Sequence, residues 1–438
     1  MGVTKDAMGL GLRALNRFAG LKVVDKLGLR KPATIAVFAA SQAGFRTVGA
    51  ASRVFRSTSK LLAPARLSKR PASGHFDLTP SDEQQMLRDT CREFSLEQLR
   101  PAALEADATC GASTELLAGA AGLGIHLLGV PEALGGAGHE RSPMTGVLVT
   151  SALAEGDLGL AVACLAPTAV SQALVLWGDA EQQAVYLPAF VGETVPAATL
   201  AIQEPTALFD PFRLETKARR TPDGYVLEGV KSLVPLARTA ELFVVAAQLE
   251  GRGPALFIVE SSTAGLTIES EPSMGLRPAG LGRLVLSNAT VPHRALLGGA
   301  DAEAYADCVN LCRLGWCALA IGTAQAALDY LVPYVNERIA FGEPISHRQS
   351  VAFAIADMAI ELEGMRLATW RAASRAEAGL PFVNETTLAR RLCADKGMAI
   401  GSQAVGLLGG HGFVKEHPAE RWYRDLRAVG FMEGVALV

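Results

Sequence analysis

Glu433 is a candidate for acid–base chemistry, in the stretch FMEG at positions 431–434. A carboxylate removes a proton from carbon more readily where its surroundings disfavour the charged form, and Phe431 and Met432 offer apolar neighbours. Most glutamates in such a position are instead solvated surface charges. The immediate sequence leaves a general base and a surface charge both open, so the choice depends on residues upstream.

The charge along the chain is distributed unevenly. Residues 1–74 contain fourteen Lys and Arg against two Asp, a net of +12, so the remaining residues carry about −15 of the overall −3. A basic, partly helical leader of this kind favours peripheral contact with an anionic membrane surface or an acidic partner. Aromatic residues do not interleave with the basic ones as single-stranded nucleic-acid binding requires, so we expect no nucleic acid as partner.

Hydrophobic periodicity divides the rest of the chain into three parts. Residues 75–195 have helical spacing, with Thr79 predicted to cap the first helix. Residues 196–299 contain short Val-, Ile- and Phe-rich runs bounded by Gly and Pro, which predict an antiparallel β domain. Residues 300–438 return to long helical patterns typical of a four-helix bundle. This order predicts an α+β, mostly α fold and excludes a doubly wound nucleotide-binding fold.

The seven cysteines include no C-x-x-C pair. Their spacing predicts free thiols rather than a zinc site, and therefore no metal and a reducing compartment. We find no run of eighteen consecutive apolar residues, which argues against a membrane-spanning helix. The expected location is cytoplasmic, with membrane association through the leader as an addition.

Four stretches carry a resemblance to a known family. They are ERIAFGEPISHRQSVAFAIADM at 337–358, LLGGHGFVKEHPAERWYRDLR at 407–427, AIQEP at 201–205, and FMEG at 431–434. In this order and spacing they resemble the acyl-CoA dehydrogenase family, over roughly residues 76–438. The basic leader lies outside the resemblance.

The resemblance implies an architecture and a reaction. The family has an α-helical N-terminal domain, a middle β domain and a C-terminal four-helix bundle, and it usually forms a dimer of dimers. Its members bind FAD and oxidise an acyl-CoA thioester to the trans-2-enoyl form. They pass the electrons to an electron-transfer flavoprotein, so a role in fatty acid metabolism is expected.

The resemblance also implies roles for particular residues. Glu433 matches the catalytic base, and its backbone N–H matches a donor to the thioester oxygen. Arg313 and Asn310 match positions that contact the substrate. Some relatives carry the base just before this arginine, where Cys312 stands here. The positions that match FAD contacts are Arg338, Phe341, Gln349, Gly409, Gly410 and Gln203, with Arg338 expected to reach the FAD pyrophosphate across a subunit boundary.

The sequence departs from the family where the flavin ring should be held. Gln203 stands in place of a Thr or Ser, and Leu208 and Phe209 replace Gly-Ser. Leu233 replaces a Trp, and Pro235 replaces a residue whose hydroxyl usually contacts the flavin. Each lost hydrogen bond costs about 0.5–1.5 kcal/mol, so several together would weaken FAD binding substantially.

These departures leave alternatives open. The first is a divergent FAD-dependent acyl-CoA dehydrogenase with Glu433 as its base. The second is a flavin-poor, non-catalytic or half-site subunit that completes an active site with another family member. A third is another flavin reaction on the same fold, such as that of an oxidase. Both homo- and hetero-oligomers are compatible with the sequence.

Overall fold

A computed structural model describes residues 64–67, 78–138, 141–192 and 194–438. Most of the basic leader predicted at 1–74, including its proposed membrane contact, lies outside the described residues. The short described part of it, residues 64–67, lies against the N-terminal helices. There Arg66 donates from Nη2 to the carbonyl of Gly178 at 2.7 Å.

The first part of the described chain is helical. Its first helix begins after Ser81 rather than Thr79, because Ser81 and Gln84 form a capping box that satisfies backbone N–H groups in both directions. The prediction of Thr79 as the cap was therefore wrong by two residues. The helices are α1 (Asp82–Phe94, continued by a π-helical turn Ser95–Leu99), α2 (Arg100–Thr109), α3 (Thr114–Gly122), α4 (Ile125–Leu128), α5 (Pro143–Ala154), α6 (Leu158–Trp177) and α7 (Ala180–Phe190).

The middle part forms one eight-stranded sheet in the order β6-β7-β3-β2-β4-β5-β8, with β1 paired to β4. Five of its pairings are antiparallel, whereas β1 and β2 each pair parallel to β4. The sheet is thus mixed rather than purely antiparallel as predicted, because β1 and β2 run in the same direction as β4. The strands are β1 (Ala198–Ala201), β2 (Lys217–Thr221), β3 (Gly224–Val234), β4 (Leu242–Leu249), β5 (Gly253–Glu260), β6 (Leu266–Ser270), β7 (Gly282–Pro292) and β8 (Leu296–Leu297).

The last part contains three long helices and a short fourth. These are α8 (Ala302–Glu337), α9 (Gln349–Glu377), α10 (Val383–Leu408) and α11 (Ala419–Leu426), with a small hairpin, β9 (Ile339–Ala340) and β10 (Glu343–Pro344), between α8 and α9. The predicted fold class and order of domains are confirmed.

Helices α6 and α8 form the centre of the molecule. Both are long and apolar enough to cross a membrane by length and composition, but 83% of the apolar window of each is buried inside the fold, as in the core of a globular protein. α8 also packs closely on α5, since a Cβ on Gly322 would lie 2.0 Å from the carbonyl oxygen of Ser151.

A buried cluster of acidic residues joins the three parts. Asp425 of α11 accepts a hydrogen bond from the backbone N–H of Leu276 at 2.7 Å, and Arg424 donates to Asp107 of α2 at 3.0 Å. Asp157, which caps α6, lies close enough to affect Asp425. Burial, together with the Asp157 carboxylate, raises the pKa of Asp425 to about 8. The joint therefore holds a carboxyl group that favours its protonated form.

Asp425→Asn tests this joint. The pKa of Asp425 is raised in the folded state above the unfolded value of about 3.9, so its contribution to stability is present at low pH and is lost as pH rises toward about 8. Asparagine keeps an oxygen for the Leu276 N–H and carries no charge. The variant should therefore gain stability relative to the parent, by at least about 1 kcal/mol, between about pH 5 and pH 8. Equilibrium urea unfolding at the two pH values measures the difference.

The control is Asp395→Asn on α10, because Asp395 has a 72% exposed side chain. It should show no pH-dependent change. A loss of stability of Asp425→Asn at the higher pH would contradict a protonated Asp425.

Candidate active site

Glu433 lies on a segment that enters the core. After α11 the chain makes a 3-10 turn at Arg427–Gly430, and the following residues pack between the helices of the first and last parts. Trp316 of α8 donates from its indole nitrogen to the carbonyl of Gly434 at 3.0 Å. Glu433 is only 5% exposed. It is therefore not a solvated charge.

The carboxylate of Glu433 binds Arg313. The Arg313 Nε lies 3.0 and 3.1 Å from the two carboxylate oxygens, and Nη2 lies 2.7 Å from Oε1. The Phe212 ring lies 5.9 Å from the same guanidinium. The sequence predicted apolar neighbours for this carboxylate from Phe431 and Met432. Phe431 is instead 52% exposed, and the carboxylate faces the Arg313 cation.

A second arginine approaches Glu433 from α10. Arg390 Nη2 lies 3.4 Å from Oε1 of Glu433 and donates to the carbonyl of Met432 at 2.6 Å. Its Nη1 is buried and has no hydrogen-bond partner among the described residues. Our sequence analysis did not identify Arg390. The stretch TTLARRLCAD places two arginines side by side, and only the orientation of the helix shows which one faces inward.

The backbone N–H of Glu433 is also engaged. It donates to the side-chain Oε1 of Gln203 at 3.2 Å. The loop after β1, predicted to lie beside the flavin, thus contacts the candidate base directly. Gln203, predicted as a cofactor contact, occupies the N–H that the family resemblance assigns to the thioester oxygen.

A buried ion pair holds this loop in place. Lys231 Nζ lies 2.7 Å from Oε1 of Glu204, and both side chains are at most 1% exposed. Glu204 also accepts from the backbone N–H groups of Glu215 and Thr216 at 2.7 and 2.9 Å. Burial lowers the pKa of Lys231 to about 8, against the opposing charge of Glu204. The pair fixes the residue next to Gln203.

Asn310 lies one turn before Arg313 on α8. It is 2% exposed, and its amide nitrogen donates to Ala306 of the same helix at 2.8 Å. Its Oδ1 is buried and unpartnered among the described residues. Cys312, beside Arg313, is fully buried, and burial raises the pKa of its thiol well above the usual value. Cys312 is therefore a neutral group and not a competing base.

The substituted loop positions have unusual backbone. Leu208 and Leu233 adopt positive φ values of 54° and 52°. Side chains other than glycine rarely adopt this region. Leu208 is fully exposed, and Leu233 is held through its N–H, which donates to Glu271 at 2.6 Å. Leu208, which replaces a Gly of the family pattern, thus has a backbone conformation that favours glycine, whereas the positive φ of Leu233 stands where the family has a Trp.

The other predicted cofactor contacts lie together elsewhere. Arg338 directly follows α8, Phe341 lies in the β9–β10 hairpin, and Gln349 begins α9. Gly409 and Gly410 follow α10, and Tyr334 near the end of α8 contacts this loop through His411 at 2.9 Å. All five predicted contacts are exposed, and Phe341 is 97% exposed.

The two groups of residues lie far apart in one chain. Arg313 lies about a third of the way along α8 and Arg338 directly follows its last residue, 25 positions later, which at 1.5 Å per residue gives about 37 Å. The structure therefore brings Glu433, Arg313 and Gln203 together and keeps the Arg338 group at the C-terminal end of the helix.

Comparisons with known proteins agree with the order of elements. The family description "Acyl-CoA dehydrogenase, N-terminal domain" matches residues 81–194, the "middle domain" matches 199–289, and the "C-terminal domain" matches 303–436. The chain belongs to the acyl-CoA dehydrogenase family. It is therefore an oxidoreductase, as the sequence predicted.

Individual relatives support the same conclusion. The chain is 32% identical over 364 residues to the mitochondrial short-chain specific acyl-CoA dehydrogenase of Homo sapiens, covering 81% of this chain and 87% of that one. Among solved structures, butyryl-CoA dehydrogenase from Megasphaera elsdenii superposes with a TM-score of 0.74 at 28% identity, covering 82% and 96% of the two chains. The FAD complex of PigA superposes with a TM-score of 0.75 at 25% identity, covering 82% and 95%.

Lys231→Met tests the buried pair that supports Gln203. Removing one partner leaves the Glu204 charge buried without its counter-ion, which typically costs about 3–5 kcal/mol. We expect a clear fall in the midpoint of urea unfolding. Lys217→Met on β2 is the matched control, because Lys217 is exposed, and it should change stability by less than about 0.5 kcal/mol. Equal midpoints for both variants would refute the role of the pair.

Proposed function

We propose that this chain oxidises an acyl-CoA thioester to its α,β-unsaturated form, with Glu433 as the base that removes the α-proton. The observation that carries the proposal is the meeting of three segments at Glu433. Its carboxylate contacts Arg313 of α8, and its N–H contacts Gln203 on the flavin-side loop. A base and a backbone donor on one residue are what the abstraction of a proton next to a thioester requires.

The chain's own residues must rearrange for this chemistry. The Glu433 carboxylate has to turn from Arg313 toward the α-carbon. The Glu433 N–H has to exchange the Gln203 oxygen for the thioester oxygen, where it would stabilise the developing negative charge. Gln203 therefore holds the N–H that the thioester oxygen would need. The structure fits a site in which substrate binding displaces two internal contacts.

A bound flavin would supply the hydride acceptor. In support of FAD, the exposed guanidinium of Arg338 suits a diphosphate, and the Gly409–Gly410 turn leaves open space where a side chain would otherwise stand. At the ring end, Pro235 offers no N–H, so Gln203 and the neighbouring backbone would hold the ring. The residues fit FAD at both ends, with fewer ring contacts than the family pattern.

A second copy or a related subunit would complete the cofactor site. The separation of about 37 Å between Arg313 and Arg338 supports an arrangement in which the two ends of one FAD are held by different chains. The surface near Arg338 is apolar, with Ile339, Phe341, Phe353 and Phe413 at least 57% exposed. Exposed apolar patches of this kind are typical of subunit interfaces. We therefore propose an oligomer in which Arg338 serves the FAD of its neighbour.

We further propose an electron-transfer flavoprotein as electron acceptor. A solved structure titled "Electron transferring flavoprotein of Acidaminococcus fermentans: Towards a mechanism of flavin-based electron bifurcation" superposes with a TM-score of 0.75 at 28% identity. All seven cysteines are free thiols, which supports a reducing compartment, and the cytoplasm as that compartment stays a prediction from the sequence. Peripheral membrane contact through residues 1–74 stays a prediction from their charge.

Anaerobic titration of the purified protein with acyl-CoAs tests the proposal. The protein should show the visible absorbance of bound flavin, and butyryl-CoA or a longer acyl-CoA should bleach it. Glu433→Gln should retain the flavin spectrum and lose bleaching by about 10²–10⁴-fold in rate, because the variant has no base.

Glu416→Gln is the control, since Glu416 is exposed on the loop before α11. The flavin of this variant should bleach at the rate of the parent. Rapid bleaching by Glu433→Gln would rule out Glu433 as base. A colourless protein that takes up no added FAD would contradict the proposal and favour a half-site subunit.

A further inference from the structure

Arg390 contacts the candidate base, and the proposed function assigns it no role. Its side chain is 11% exposed, and Nη2 lies 3.4 Å from Oε1 of Glu433. The same nitrogen donates to the carbonyl of Met432 at 2.6 Å. α10 therefore brings a buried cation against both the side chain of the candidate base and the residue before it.

The contact of Arg390 differs in kind from that of Arg313. Arg313 meets the carboxylate with Nε and Nη2, both within 3.1 Å of its oxygens, and must release it when the carboxylate turns. Arg390 instead forms its short hydrogen bond with the main chain at Met432, which a rotation of the Glu433 side chain does not break. The guanidinium of Arg390 is therefore held next to the Glu433 backbone whichever way the Glu433 side chain points.

We infer that Arg390 is a positioning residue for Glu433, anchoring the loop through the Met432 carbonyl and placing a cation beside the carboxylate that is to accept the proton. The inference rests on the proposed role of Glu433 as base. The energetic cost of burying Arg390 supports it, because a guanidinium with an unpartnered Nη1 is retained in the core only where a nearby anion compensates for its lost hydration.

The other groups around Glu433 leave this charge unopposed. Burial raises the pKa of the Cys312 thiol and of the Tyr305 hydroxyl well above their usual values, so both are neutral. Glu204 is paired with Lys231 at 2.7 Å. Among the described residues, the titratable and charged groups that act on Glu433, Arg390 and their neighbours are Tyr305, Cys308, Cys312, Arg313 and Cys317 on α8, Arg390 on α10, and Glu204 with Lys231 in the middle domain.

Arg390→Gln tests the inference without turnover. Infrared difference spectra recorded across pH, with Glu433→Gln as the reference that lacks the group, give the midpoint at which the Glu433 carboxyl becomes protonated. An opposite charge within about 4–6 Å favours the charged form of a carboxyl group by about one pH unit or more. Removing it should move the midpoint upward by about one unit.

The pH profile of the reaction gives a second measurement. The acidic limb of kcat/KM should move to higher pH in Arg390→Gln by the same amount. Arg391→Gln is the matched control, because Arg391 is the next residue on α10 and is exposed. Arg390→Lys keeps the charge and should leave the midpoint within about half a unit of the parent value, well inside the shift expected for loss of the charge.

Three results would overturn the inference. One is an unchanged midpoint in folded Arg390→Gln, and another is an equal shift in Arg391→Gln. If Arg390→Gln does not fold, Arg390→Met replaces it as an apolar side chain of similar length, and an unchanged midpoint there is the third. A further outcome separates the inference from the proposed function. If Arg390→Gln shifts the midpoint but Glu433→Gln still oxidises acyl-CoA, Glu433 is not the base, while its electrostatic contact with Arg390 is established.

Discussion

The structure depends on the compensation of one buried carboxylate. Glu433 is removed from water almost entirely, and an uncompensated charge at such a depth would cost several kcal/mol. Two guanidinium groups from two different helices supply the compensation. The Glu433 carboxylate, which belongs to neither helix, is therefore compensated only while α8 and α10 hold Arg313 and Arg390 beside it.

This constraint also explains how the middle domain is coupled to the helices. Gln203 reaches the N–H of Glu433 only because Glu204 and Lys231 fix the loop after β1 from inside the sheet. The β domain thus contacts Glu433 through a hydrogen bond from its backbone N–H to the Gln203 side chain. A Thr or Ser, the usual family residue at this position, has a shorter side chain, so the glutamine adds reach toward the Glu433 N–H while the fold is unchanged.

The sequence predicted the architecture well because hydrophobic period and chain order are local properties. The family resemblance named Glu433, Arg313 and Gln203 as base, substrate contact and cofactor contact, and the fold brings the three side chains together, while their roles stay predictions. The sequence prediction failed at features set by orientation. The inward face of α10 could not be read from two adjacent arginines, the helix cap moved from Thr79 to Ser81, and the apolar neighbours of Glu433 in sequence are not the groups that face its carboxylate.

Two internal contacts, of Gln203 with the Glu433 N–H and of Arg313 with the Glu433 carboxylate, are expected to be replaced when a substrate binds. A structure of the protein with FAD and a non-reactive acyl-CoA analogue tests this replacement directly. We expect the Glu433 N–H to bond to the thioester oxygen, Gln203 to withdraw, and the Glu433 carboxylate to leave Arg313 for the α-carbon. A bound analogue with the 3.2 Å contact between Gln203 and Glu433 still intact would contradict the account.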